Sequence, residues 1–321
     1  MCGRYTLAHS MEEIIEAFKT QQLMLPLEPR YNIAPSQLIP IIFAAQEGDE
    51  DAKPGQRIIR AARWGFIPDW VKDLKKYPPM INARGETIAE KNSYRHAFRR
   101  RRCLIPADGF FEWKGEGKDR LPYRIGLKGN ALFGFAGLYE DWTSPDGSMM
   151  RTTAIITVHA NPLMRKFHDR MPVILHRGEE NVWLDNDQSD LPKLQSLLRP
   201  YPDQEMEAYR VSKRVNGTSF NDRDLVKKLV DGEAEYQPPP KEKKLPAVKT
   251  DSISKTDRMA KIDEAPTSVA SQSSPSKSMS TKSRQKGRSD SSAKQLNLFE
   301  LKSGTDDAGN SDLADQADRA D

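Results

Sequence analysis

All five tryptophans of this chain lie between positions 64 and 183, and beyond Tyr236 the only aromatic residue is Phe299. A segment so poor in aromatic side chains cannot take enough apolar surface out of water to offset the entropy of ordering its backbone. Residues 237–321 are therefore predicted to be a disordered tail, which leaves one folded body over residues 2–236. Composition agrees: 37% hydrophobic and 30% charged residues with a mean hydropathy of −0.73 are polar values for a chain that is globular throughout. The tail begins abruptly at YQPPPKEKK and then turns Ser-, Lys- and Thr-rich, the composition of linkers and docking tethers.

Several function classes drop out at once. No apolar run approaches the ~18–20 residues of a membrane span. The opening MCGRYTLAHSMEEII is acidic where a signal peptide is apolar, so the expected location is cytoplasmic, with no membrane partner. Two cysteines, Cys2 and Cys103, cannot make a disulfide framework. His159 and His168 have no Cys or carboxylate at ligand spacing, so neither a metal nor another cofactor is expected. The net charge of +4 is divided evenly, 35 basic and 33 acidic residues in the body against 15 and 13 in the tail, so an anionic partner must meet a local patch.

Within the body, SMEEIIEAFK reads as a short helix, with Ser10 as N-cap and Glu13 at capping-box spacing. Leu38 to Ala45 is a β-like run, and IIRAARWGFIPDW a second strand ended by Pro68. ETIAEKNSYRHAFRRRR suits a helix or two. CLIPADGFFEWK, LPYRIGL, ALFGFAGLYEDW, TTAIITVHA and MEAYRVSKRVN are strand-like between Gly, Asp and Lys turns. Without repeated βαβ units this predicts an α+β fold with a mainly antiparallel sheet.

Cys2 is the sharpest chemical feature. Initiator methionine is removed when residue two is small, which would leave an α-amine (ordinary pKa about 7.7–8.0) and a thiol (about 8.5) on one residue, both nucleophilic near neutrality. Such a 1,2-aminothiol condenses with an aldehyde and closes a five-membered thiazolidine ring; a chance cysteine at position two is the plain alternative. In INARGET, Asn82 offers donors and an acceptor, and Arg84 a fork suited to phosphate, unless the segment is merely a polar turn. In ADGFFEWK the lone carboxylate of Glu112 sits among aromatics, where burial would raise its pKa; a solvent-facing edge position is the alternative. His168 in HDRMP suits general acid–base work or a plain surface position. Trp64, Trp70 and Trp113 with Arg84, Arg95 and Arg99 to Arg102 are of the types that supply the stacking faces and guanidinium groups single-stranded nucleic acid needs; core positions for the tryptophans and a solvated helix end for the arginine run are the plain alternatives.

Taken together, MCGRY, YNIAPSQ, WGFIPDW, INARGET, RRCLIPADGFFEWK, HDRMPVIL and VSKRVN resemble, in order, the SRAP family of SOS-response-associated-peptidase-like proteins, over about residues 2–230. The resemblance implies a barrel-like sheet with flanking helices and covalent capture of abasic sites in single-stranded DNA, with Cys2 forming the thiazolidine and Asn82, Glu112 and His168 as the other active-site residues. It also implies DNA contacts from Arg4, Pro35, Trp64, Trp70, Arg84, Trp113 and Arg170, weak lyase activity, and reversal assisted by Glu112. Cys103 falls outside these motifs and is expected to be a buried structural thiol. In the tail, Gln295, Leu296, Leu298 and Phe299 of QLNLF resemble the pentapeptide by which bacterial repair proteins bind the sliding clamp. A monomer suits such a substrate. An N-terminal-nucleophile thiol hydrolase or peptidase, and a non-covalent reader of modified bases, are the competing functions.

Overall fold

A computed structural model of the chain describes residues 2–21, 28–49, 52–115 and 117–230; the tail with Gln295–Phe299 lies outside the described residues. In chain order the elements are β1 (Tyr5–Leu7), α1 (Met11–Phe18), β2 (Arg30–Ile33), β3 (Leu38–Ala44), β4 (Arg57–Trp64), β5 (Asn82–Arg84) and α2 (Arg95–Arg100). They continue with β6 (Arg102–Ala107), β7 (Gly109–Lys114), β8 (Leu121–Leu127), β9 (Phe133–Thr143) and β10 (Met149–His159). β11 (Arg170–Pro172), β12 (Ile174–Leu175), α3 (Glu180–Leu184), α4 (Leu191–Ser196) and β13 (Met206–Arg210) complete the body.

The first helix follows its sequence closely. Ser10 and Glu13 form the reciprocal capping box, Met11, Ile14 and Phe18 line the buried face, and Lys19 ends the helix in the left-handed region at φ 50°. The strands form two sheets. One is antiparallel, in the order β13-β8-β7-β1-β2. In the other, β10, β4, β3, β6 and β9 follow one another and β9 pairs back onto β10, so the sheet closes on itself as a small barrel. The two 11-residue strands β9 and β10 are long enough to make that closure. Its pairings are antiparallel except where β10 meets β4 and β5.

Those two parallel pairings correct the expected end of β4. The strand stops at Trp64, four residues before Pro68, because Gly65 takes φ 142° and donates its N–H to Thr153 O at 2.9 Å. That conformation suits glycine. The chain then loops out and returns as β5, which continues along the same edge of β10, with Asn82 opposite Ile155.

The core is filled by Tyr5, Phe18, Trp64, Phe66, Phe98, Phe110, Phe135 and Trp183, all buried. Trp64 therefore cannot stack on a base as expected: its ring is in the core and its Nε1 donates to Ile81 O at 2.9 Å. The four-arginine run is likewise not one basic face. Arg99 and Arg100 are exposed at the end of α2, and Arg101 pairs with Glu140 at 2.9 Å. Arg102 is buried and donates to the carbonyls of Phe98, Arg99 and Trp183 at 2.9, 2.6 and 2.7 Å, so it caps the C-terminus of α2 from within. Burial lowers its guanidinium to about 10. Cys103 is buried, as expected of a structural thiol.

Candidate active site

The three residues of β1 would not hold themselves extended; they are set between β7 and β2, with Tyr5 opposite both Phe110 and Ile33. Phe111 donates its N–H to Arg4 O at 2.9 Å, which continues the ladder towards the chain's start. Extending that register brings Glu112 opposite Gly3, next to Cys2. The start of the sequence is thus drawn into the sheet, and Cys2 is wholly buried. β5 approaches from the closed sheet, and Asn82 Nδ2 donates to Cys2 O at 3.1 Å. Tyr94 steadies Asn82 in turn, its hydroxyl donating to Asn82 O at 3.1 Å. Asn82 Oδ1 is buried and, among the described residues, has no hydrogen-bond partner.

Burial, and then the nearby charge of Glu112, push the Cys2 thiol well above its ordinary value. Next to a carboxylate and out of water, the protonated form of the thiol is favoured. Glu112 itself is 5% exposed, and burial pushes its carboxyl up, with a smaller upward contribution from Asp169. The solvent-facing alternative for Glu112 is thereby excluded.

His168 follows a turn closed by its N–H on Met164 O at 2.9 Å. Its Nδ1 accepts from the Arg170 N–H at 2.9 Å, and Asp169 Oδ1 lies 2.6 Å from the same nitrogen. Burial lowers its pKa, which favours the neutral ring with Nδ1 accepting and the proton on Nε2. Protonation would exchange the backbone partner for the Asp169 carboxylate.

The basic and aromatic residues separate into two groups. Arg170 forms a fork on Glu86 at 3.0 and 2.9 Å and donates to Thr157 O at 2.7 Å, so it clamps β11 and β10 to the turn after β5 instead of facing solvent. Arg4 donates to Asn32 Oδ1 at 2.7 Å and to Val215 O at 2.8 Å. Trp113 Nε1 donates to Asn216 Oδ1 at 2.8 Å. By contrast Arg84, at the end of β5, and Trp70 are exposed, and Pro35 is half-buried in the turn after β2.

Sequence reasoning missed Asn32, whose Nδ2 reaches the carbonyls of Val215, Gly217 and Phe220 at 3.3, 2.9 and 3.1 Å and ties the 215–220 strap beside Arg4. Its signal was an amide standing between Tyr31 and Ile33 in an apolar strand. Neither of two surface clefts is at Cys2: one of about 500 Å³ is lined by Asp69, Trp70, Asn92, Arg95 and His96, the other of about 300 Å³ by residues including Glu86, His159 and Arg199.

Fold and site together define an α+β protein with a buried cysteine at position two, placed between an amide and an acid brought from different sheets. The chain belongs to the SOS response associated peptidase (SRAP) family, whose model matches residues 1–218. It is 46% identical over 229 residues to the abasic site processing protein YoqW of Bacillus subtilis, covering 70% of this chain and 99% of that protein. The abasic site processing protein HMCES of Xenopus tropicalis is 30% identical over 227 residues, 63% of this chain and 67% of that one. A crystal structure of a Bacteroides thetaiotaomicron protein superposes with a TM-score of 0.64 at 28% identity, over 71% of this chain and all of that one.

Proposed function

We propose that the protein captures abasic sites in single-stranded DNA as a covalent thiazolidine on Cys2, once removal of Met1 has freed its α-amine. The observation that carries this reading is the grip on residue two: Asn82 holds its backbone carbonyl while its thiol lies beside the buried Glu112. The names of the relatives point to the same lesion.

The chemistry follows from these placements. The closed sugar opens when His168 in its protonated form gives the Nε2 proton to the ring oxygen while the C1′ hydroxyl gives its own to the Glu112 carboxylate, which passes it on to solvent. The amine adds to the C1′ aldehyde and expels water, leaving a Schiff base. Glu112 in its carboxylate form then takes the thiol proton, sulfur bonds to C1′, and the proton goes to the nitrogen. The sum is aldehyde plus aminothiol giving thiazolidine plus water. Asn82 restricts residue two to a near-attack geometry. A Schiff base that fails to close permits β-elimination, hence weak lyase activity, and Glu112 running the proton transfer backwards gives reversal. A thiol hydrolase would need an ionised sulfur as its first attacker, whereas here the amine attacks first, so a thiol held protonated by burial favours capture. The Gln295–Phe299 segment would dock this body to the sliding clamp.

Intact mass of the protein incubated with an abasic single-stranded oligonucleotide tests the reading. The expected product is the chain lacking Met1, plus the DNA, less one water, and it survives heating. Absence of any such adduct would overturn it.

A further inference from the structure

His168 Nδ1 has two partners that exclude one another. The Arg170 N–H reaches it at 2.9 Å and needs the nitrogen bare. Asp169 Oδ1 lies 2.6 Å away and needs a proton between the two atoms, because facing lone pairs at that distance repel. Main-chain bonds fix the segment on both sides: His168 donates its N–H to Met164 O at 2.9 Å, and Ala160 its N–H to Asp169 O at 2.8 Å. The Asp169 side chain is 83% exposed and that of His168 32%, so the carboxylate joins the ring to solvent. Its charge also acts on both titrating groups of the site. Burial raises the Glu112 carboxyl on β7, and Asp169 adds to that rise. Burial and then the chain's amino terminus lower the His168 ring, Asp169 raises it, and Arg170, whose guanidinium is held by Glu86, lowers it.

We infer that Asp169 is a positioning residue for sugar opening: its carboxylate accepts from Nδ1–H as the His168 ring takes up a proton, which leaves Nε2–H as the proton delivered to the sugar. At rest the Arg170 N–H keeps Nδ1 bare and the ring neutral. A proton from solvent adds at Nδ1 and is held there by Asp169, and Nε2–H then passes to the ring oxygen. The imidazole is left neutral, with its remaining proton between Nδ1 and the carboxylate. Loss of that proton to solvent and uptake of one at Nε2 restore the resting ring. Burial alone would keep the ring uncharged near neutrality, so the carboxylate is what makes it an acid strong enough in supply to open the sugar. This rests on the proposed capture of abasic sites and adds a fifth residue to its machinery, one that acts through His168.

The test compares the full chain with its Asp169→Asn variant, which keeps the shape of an exposed side chain and removes its charge. Adduct formation with an abasic single strand is followed across the neutral pH range at saturating protein. The wild-type rate should fall as pH rises through the His168 pKa. In the variant that fall should begin at lower pH, with a loss of about tenfold on the alkaline side of neutrality. The same strand carrying an open-chain aldehyde, which has no ring to open, should be captured equally fast by both proteins. Losing Asp169 also lets the Glu112 carboxyl fall, which leaves more of the carboxylate that takes the thiol proton. Superposed pH profiles, or an open-chain aldehyde slowed as much as the closed sugar, would overturn the inference. Imidazole NMR of the protein without DNA, with the His168 signal assigned by its loss in His168→Gln, separates the two readings. If the wild type forms no adduct, capture fails, and the Asp169 inference then stands if the ring titrates at lower pH in Asp169→Asn and falls if the two titrations coincide.

Discussion

Cys2 and Cys103 are both wholly buried, and burial pushes both thiols up, that of Cys103 to about 12. Their neighbours differ. Cys103 on β6 faces the Thr153 hydroxyl, with 3.7 Å from Sγ to Oγ1, and a Cβ at Gly137 would stand 3.0 Å from its sulfur, so it is a close-packed filler of the barrel. Cys2 has an acid within electrostatic reach and an amide on its backbone. Burial alone thus gives an inert sulfur; a proton acceptor and a fixed backbone are what separate a candidate nucleophile from core packing.

The sharpest way to break this contrast is to exchange the roles of the two cysteines. Cys2→Ser should reduce heat-stable adduct on a denaturing gel by at least about 10³-fold, while leaving a Schiff base that borohydride traps. Cys103→Ala should keep the adduct and lower stability by about 1–2 kcal/mol in a urea titration. A Cys2→Ser protein that still forms adduct without reductant would erase the distinction.

Glu112→Gln removes the proton acceptor and should slow capture by about 10²-fold. Its effect on stability has a defined sign. The carboxyl is pushed up on folding, so its contribution is fully present below the usual carboxylate range and is lost as pH rises through the raised folded value. The Gln variant should melt with the wild type near pH 4 and above it at pH 7; coincident curves at both would place Glu112 outside the buried site.

Asn82→Ala keeps both the acid and the thiol and frees only the backbone, for an expected loss of about tenfold in rate with binding to undamaged strands preserved. The smallest effects separate two arginines. Arg84→Ala should lower the salt slope of single-strand binding by about 0.7. Arg170→Ala should leave that slope alone and cost about 2 kcal/mol of stability, since it leaves Glu86 without its fork. A reduced slope for Arg170→Ala would return it to the DNA contacts.

What could be read in the sequence was what local chemistry decides. The Ser10–Glu13 box announced α1, and the aromatic runs announced β7 and β9. Trp64 and Trp70, six residues apart in one motif, could not be told apart, because the turn at Gly65 sends one ring into the core and leaves the other in solvent. Arg102 was indistinguishable from Arg99 in a run of four, since its burial depends on carbonyls of α3 and of the residue following it, more than 80 positions away. β1, β2 and β5, at three to four residues each, exist only through partners distant in the chain, and three of the four expected site residues stand on or next to β1, β5 and β7.

The position of β1 also sets an order of events. Its neighbours β2 and β7 end at Ile33 and Lys114, so the strand cannot be seated until the first 114 residues have been made. Until then β7 does not hold the first residues, whereas in the folded chain residue two is buried. On the proposed capture, Met1 would be removed within that interval, and Cys2 would gain its acid and its amide only when the sheet closes around it.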